Sequence, residues 1–269
     1  MPQTDKSCVF WQKEGDSMQR HVISKWAKTE ALLHHESIKP YIPKTVPMTS
    51  GNLREMLEQL RMVYVKPDRG TYGGGVMRVE MAGGVERPLY RYQLNERIRT
   101  YRTFAALYRN VRRSAGRRRY LAQKGIHLQT YNKRRFDLRV MVQQNLQKNW
   151  ETTGIIGRVA HPRKIVTNFH NGGKLVPAET LLGACAGSSE KAQKTLGKLE
   201  KLGVEVGEAL HKHYPGLREI GLDVGLDGEL KPWILEVNTK PDPYIFRRLA
   251  NKGIFARIIR YANAYGRVT

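Results

Sequence analysis

A strand that ends in a lysine, turns through a run of glycines and returns as a second strand is the feature that most restricts the folds open to this chain. Met62-Val63-Tyr64-Val65 is an apolar run of strand length, and Lys66 stands at its end. The turn Asp68-Arg69-Gly70-Thr71-Tyr72-Gly73-Gly74-Gly75 follows, and Val76 to Met81 then alternates as a two-faced strand does. A Walker-type loop needs GK[ST] opening a helix, and a dinucleotide fingerprint needs a helix after its glycines. Neither follows here, so both of those nucleotide folds are disfavoured and a hairpin remains. A lysine at this point can set a charge on a phosphate while the N–H groups of Gly73, Gly74 and Gly75 approach it without side-chain obstruction. The alternative is a hairpin tip with a solvated lysine.

A second constraint is acidic. Gly221-Leu222-Asp223-Val224 and Ile234-Leu235-Glu236-Val237-Asn238 read as two strands, and period two puts Glu236 and Asn238 on one face. With a two-residue turn at Asp227-Gly228, Asp223 would stand roughly 13 Å out of register with Glu236. With a loop over Asp227 to Pro232, Leu226 opposes Trp233 and Asp223 falls opposite Glu236. Pro232 cannot donate to a ladder and favours the longer loop. Two carboxylates on one face repel unless a cation lies between them. Two carboxylates and an amide oxygen suit magnesium, which completes its shell with water and phosphate. Otherwise Asp223 caps a turn and Glu236 pairs with an arginine.

Charge enters next. The 269 residues carry 47 Lys+Arg against 24 Asp+Glu, a net +23, and 40% are hydrophobic. That is a folded, strongly basic chain whose partners carry negative charge. Thirteen of the cations, and no acid, lie between Arg97 and Arg135, where Tyr101, Phe104, Leu107 and Tyr108 suit one helix face. Cys8 and Cys185 form no metal or disulfide pattern, and no apolar window has the length of a membrane span. A soluble protein of a reducing, cytoplasmic compartment is expected. No Ser/His/Asp or Cys/His arrangement is legible, and His34, His35, His211 and His213 fall in helical stretches. Asp137-Leu138-Arg139, Arg158 and Asn168 can line a polyanion site. Further elements are helices over Ser17–His35, from Thr49 or Ser50, and over Ser189–His213, with strands at Tyr120–Gln123, Asp137–Gln143, Trp150–Val159, Ile220–Leu226 and Trp233–Val237.

Taken in order, Lys25, Lys66 with Gly73-Gly74-Gly75, Gln123, Asp137-Leu138-Arg139, Thr167-Asn168 with Gly172-Gly173, Asp223 and Glu236-Val237-Asn238-Thr239-Lys240-Pro241 resemble the ATP-grasp superfamily, in particular its YheC/YheD type, described as endospore-coat-associated. The resemblance runs from about Ser24 to Asp242. It implies an α+β fold of two lobes with ATP between their antiparallel sheets, here divided into residues 1–122 and 123–269. About 20 residues precede the Lys25 helix, so the N-terminal substrate domain frequent in such ligases is expected to be absent.

By the same resemblance, Lys25 and Lys66 contact nucleotide phosphates and the Gly73–Gly75 loop closes over them. Gln123 accepts from the adenine amino group beside the backbone of Lys124 and Ile126, Asp137 and Asn168 lie near the nucleotide, and Asp223, Glu236 and Asn238 bind one or two Mg2+ ions. The reaction it implies is ATP-dependent carboxylate-amine ligation through an acyl phosphate, with Lys66, Arg139 and Arg158 neutralising the moving phosphoryl group. The basic excess points to an acidic peptide or other polycarboxylate as substrate, with an amine donor. A kinase of an anionic small molecule and a nucleic-acid or polyanion binder using residues 97–135 are the alternatives. A homo-oligomer and a spore location are further expectations.

Overall fold

The computed structural model describes residues 20–70, 73–84, 87–162 and 172–267. Two antiparallel sheets face each other, and period-two alternation gives each an apolar face for helices and a polar face for the space between.

The first sheet has the order β1 (Thr45–Pro47), β6 (Tyr120–Lys124), β2 (Met62–Pro67), β3 (Met77–Ala82), β4 (Leu89–Leu94), β5 (Arg97–Tyr101). Val63, Val65, Met77, Val79, Tyr90, Tyr92 and Ala122 point to one side. There they meet Leu53 and Leu57 of α2 (Ser50–Leu60) and Leu107 and Val111 of α3 (Phe104–Ala115). The alternate residues form a row across the other face, because Tyr64 pairs with Gln123 and Arg78, Arg78 with Gln93, and Gln93 with Ile98.

The second sheet has the order β10 (Lys174–Pro177), β9 (Trp150–Val159), β8 (Arg134–Gln144), β11 (Glu219–Leu226), β12 (Pro232–Asn238), with β7 (Thr130–Tyr131) paired to the start of β8. Phe136, Leu138, Val140 and Val142 turn toward α4 (Ala178–Cys185) and α5 (Ser189–His213). Their alternates Arg135, Asp137 and Arg139 face the first sheet. Farther along that face, Met141 and Ile156 are covered by Phe246, Leu249 and by Ile258 of α6 (Lys252–Ala264).

Several elements depart from the sequence expectation. The first helix, α1 (Lys25–Leu33), begins well after Ser17, and residues 1–19 with Cys8 lie outside those described. Ser24 caps it by accepting from the Ala27 N–H at 3.1 Å, and Asp68 accepts from the Trp26 N–H at 2.8 Å. Val22 precedes the helix, with its N–H on the Thr239 hydroxyl and its carbonyl accepting from Lys28 Nζ. Tyr101 ends β5 and is not on the helix it was grouped with. A division at 122/123 does not follow the packing: it falls inside β6, and Ala31, Leu32 and Ile38 are buried in the core of the second sheet. The second lobe is thus built from residues 20–42 and from those after β6, and the first lobe is inserted between them. The Arg97–Arg135 run is spread over β5, α3, β6, β7 and the start of β8. Among the described residues no helix is long and apolar enough to cross a membrane.

α5 lies close on β8 and β9 because Gly203 and Gly207 face them. A Cβ on Gly207 would stand 2.7 Å from the Trp150 ring, whereas one on Gly197 of the same helix would meet nothing within 4 Å. Gly197→Ala is therefore expected to raise stability by about 1 kcal/mol through helix propensity alone. Gly207→Ala is expected to lose about 1–3 kcal/mol to overpacking. Urea unfolding of the two variants in parallel measures both, and equal signs would refute the close-approach account.

Candidate active site

The polar faces of the two sheets enclose a cleft. Tyr64, Lys66, Gly73, Val76, Gln123, Lys124, Ile126, Leu128, Asp137, Arg158, Asp223, Leu235 and Glu236 line it. The structure thus brings together most residues singled out in the sequence, from both lobes. Lys25, Gly74, Gly75, Arg139 and Asn238 are not in the lining, and Asn168 lies outside the described residues.

Lys66 spans the cleft. Its Nζ donates to Gln123 Oε1 in its own sheet and to the Leu235 carbonyl of the facing sheet, both at 2.8 Å. Burial drives its pKa down to about 8, a shift that Glu236 partly offsets. An ammonium has no acceptor, so it fixes the Gln123 amide with oxygen toward the cleft, while Gln123 Nε2 donates to Thr45 Oγ1 at 3.0 Å. The glutamine is thereby pre-oriented as an acceptor. Lys124 commits its N–H to the Lys44 carbonyl and lays its ammonium 5.0 Å from the Trp233 ring centroid.

The Leu235 carbonyl is available because β11 and β12 are out of step there. Leu226 pairs with Pro232, Gly225 with Trp233 and Val224 with Ile234, and Asp223 then pairs with Glu236 across a bulge. The acid pair expected from the longer loop is present. The loop is one residue shorter than expected, because Pro232 joins the ladder opposite Leu226, and the bulge at Leu235 takes up the difference.

Below Lys66 the floor of the cleft is ionic. Arg158 donates to both oxygens of Asp137, at 2.8 and 2.7 Å, and lies 3.0 Å from Asp223 Oδ2. Arg139 Nε donates to Asp223 Oδ1 at 2.6 Å. Burial opposes the charge on Arg158, yet the two aspartates outweigh it and raise the guanidinium pKa. Burial likewise pushes Asp223 up, and Arg139 with Arg158 overrides it, bringing its pKa down to about 2. Asp223 is therefore an anion throughout the physiological range. In this arrangement Asp137 positions Arg158, and Arg139 positions Asp223 without lining the cleft.

Glu236 completes the acid pair, with its side chain 29% exposed and 3.4 Å from Lys25 Nζ. Lys25 also donates to the Gly70 carbonyl at 2.9 Å, so it ties the base of the glycine turn to Glu236. Gly73 and Gly75 adopt φ of +71° and +77°, where a side chain is strained, and a Cβ on Gly75 would stand 2.6 Å from the Tyr120 hydroxyl. Asn238 Nδ2 lies 3.5 Å from Asp223 Oδ2. Among the described residues no group of three or more His, Cys, Asp or Glu is placed to hold a metal. The Asp223 and Glu236 carboxylates are oxygen donors, and the Asn238 side-chain amide can add a third oxygen once turned, a set that fits a magnesium ion that draws its remaining ligands from phosphate and water.

Sequence reasoning missed Thr45, Tyr64 and the Leu235 carbonyl. Tyr64 was accessible in principle, because a residue two before Lys66 shares its face. Thr45 and Leu235 act through a three-residue strand and a bulge, neither of which leaves a sequence signal.

A YheC/D-like ATP-grasp family model matches residues 17–268. The chain is 25% identical over 227 residues to the endospore coat-associated protein YheD of Bacillus subtilis (strain 168), covering 83% of this chain and 49% of that one. It is 23% identical over 245 residues to endospore coat-associated protein YheC of the same organism, covering 89% and 66%. The chain thus spans about half the length of the first relative and under two thirds of the second. Among solved structures, the D-cycloserine synthetase DcsG superposes with a TM-score of 0.53 at 12% identity, over 90% of this chain and 70% of that one. The D-alanine-D-alanine ligase of Coxiella burnetii gives 0.53 at 11% identity, over 91% and 57%. These likenesses agree with the two facing sheets and establish the fold. With a family model spanning nearly all of its length, the chain belongs to the YheC/D-like ATP-grasp family.

Proposed function

We propose that this protein is an ATP- and magnesium-dependent ligase that joins a carboxylate to an amine through an acyl phosphate, with an acidic peptide or other polycarboxylate as acceptor. The observation that carries the reading is the convergence in one cleft of Lys66, Arg158 and the Asp223–Glu236 pair. This is an arrangement for moving a phosphoryl group, with cations for the developing charge and, among the described lining residues, no Ser or Cys.

Each residue has a part in that reaction. Val76, Ile126, Leu128 and Leu235 supply apolar walls for the base, and Gln123 Oε1 is held ready to accept from its amino group. Lys66 and the Gly73–Gly75 turn hold phosphate oxygens, with Lys25 keeping the turn against Glu236. Asp223, Glu236 and Asn238 would hold magnesium, which would supply charge neutralisation on phosphate oxygens. Arg158 presents a guanidinium fixed by Asp137 to the charge that develops as the γ-phosphoryl group passes to the acceptor carboxylate. The amine then adds to the acyl carbon, the carbon–oxygen bond to phosphate breaks, and phosphate leaves.

Glu236 is only partly buried, so Glu236→Gln is expected to keep the melting temperature within a few degrees and to lower ADP formation by about 10²-fold or more. Coupled ADP release with calorimetry of the same sample checks both. ADP formation is expected to require a carboxylate and an amine together, with a product whose mass is their sum less water. A product that retains the phosphoryl group would make the enzyme a kinase.

Burial lowers the Lys66 pKa in the folded protein, so its charge is complete below about 8 and is lost as pH rises through that value. ATP affinity is therefore expected to fall through pH 8, and Lys66→Met is expected to bind weakly with that step removed. Titrations at pH 6.5 and 9.5 test this, and identical pH dependence in the two proteins would refute it.

A further inference from the structure

The row of residues that begins at Gln123 and Tyr64 in the cleft continues through Arg78 and Gln93 to Ile98 at the sheet edge. Beyond Tyr64 it becomes the wall of a second hollow, a groove closed on the other side by the turn into β8 and the end of β9. Arg78, Arg91, Lys133, Arg134 and Arg135 line this groove, with Glu96 as the acid among its lining residues. Glu80, beside it, is shared by Arg78 at 2.6 Å and Arg91 at 3.5 Å. Counting Glu80 with the lining leaves three more cations than anions.

Arg78 is the residue that makes this more than a basic surface. It is 9% exposed, and its buried Nε has no hydrogen-bond partner. A guanidinium held in that state costs free energy that an anion brought to the site would relieve. Tyr64 of the cleft and Arg78 of the groove are paired on adjacent strands, so groove and cleft share a wall. Arg134 is braced by donating to the Ala160 carbonyl at 2.7 Å.

We infer that this groove binds an acidic peptide segment, whose carboxylates meet the arginines while its reacting end lies in the cleft. The assignment deepens the ligase reading and rests on it for the role of the peptide as acceptor. Carboxylates match guanidinium forks. Among the described residues the groove is lined by no Tyr, Trp or Phe, the platforms on which a single-stranded nucleic acid stacks its bases. Among the described residues β5 pairs with β4 alone and is exposed almost throughout, which leaves backbone for an extended chain to pair with.

The test is fluorescence anisotropy of a dye-labelled oligoglutamate peptide on the full chain without ATP, at about 50 mM salt and again at about 200 mM. Arg91→Glu with Lys133→Glu changes two exposed side chains, and Arg78→Gln changes the buried one. Both variants are expected to weaken peptide binding about tenfold or more while the affinity for a fluorescent ATP analogue stays unchanged. Should Arg78→Gln fail to fold, the exposed pair decides. Equal peptide affinity in wild type and the exposed-pair variant overturns the inference, as does displacement of the peptide by an oligonucleotide of equal charge that binds more tightly. Retained groove-dependent peptide binding with no ADP formation from any carboxylate-amine mixture would remove the ligase reading alone. ADP formation without peptide binding would remove the groove alone.

Discussion

Arg158 is the residue around which the site is organised. Its guanidinium lies 4% exposed in the second sheet, between an aspartate of the neighbouring strand and one from the strand beyond. Removing four charges from water in so small a volume is costly, and apolar residues of like size would hold three strands together at least as well. What the ionic floor supplies is a fixed distribution of charge. Two guanidiniums keep Asp223 ionised while Asp137 keeps Arg158 aimed. The cleft therefore presents one fixed cation and one fixed anion side by side.

The upper wall works through a different device. Lys66 belongs to the first lobe and Leu235 to the second, and their contact depends on a single extra residue in β12. A regular ladder would bring Asp223 opposite Leu235, and the acid pair would be lost. The bulge therefore does two things with one residue: it aligns the carboxylates and turns a carbonyl toward the lysine. The same lysine orients Gln123, so the glutamine's orientation and the contact between the lobes are mechanically connected.

Much of this was legible from the sequence where local pattern and tertiary packing agree. The helix over Ser189–His213 and the strand over Trp150–Val159 have the bounds their capping and alternation predict. Lys66, Gln123, Asp223 and Glu236 were recognisable from strand position or from resemblance, and the structure puts them in one cleft. Elements without an apolar pattern were not legible. β5 is exposed along nearly its whole length, β1 and β10 are only three and four residues long, and α1 is shorter than its apolar stripe because Ser24 starts it late. The groove was least visible of all, since Arg78, Arg91 and Arg134 come together only through the register of strands far apart in sequence. Charge counting singled out residues 97–135, yet only the last three cations of that run line the groove.

The insertion of the first lobe into the second also bears on the order in which the chain acquires structure. Residues 45–124 are continuous, and all six strands of their sheet are complete as soon as that stretch has been made. Residues 20–42, synthesised earlier, have their partners in α5 and the strands around it, which follow long after. During synthesis α1 must therefore wait with Leu32 uncovered while a later segment folds ahead of it. Its recruitment closes the second lobe. Because Lys25, a Glu236 contact, opens that helix, the cleft reaches its final form only when β12 meets a segment made long before it.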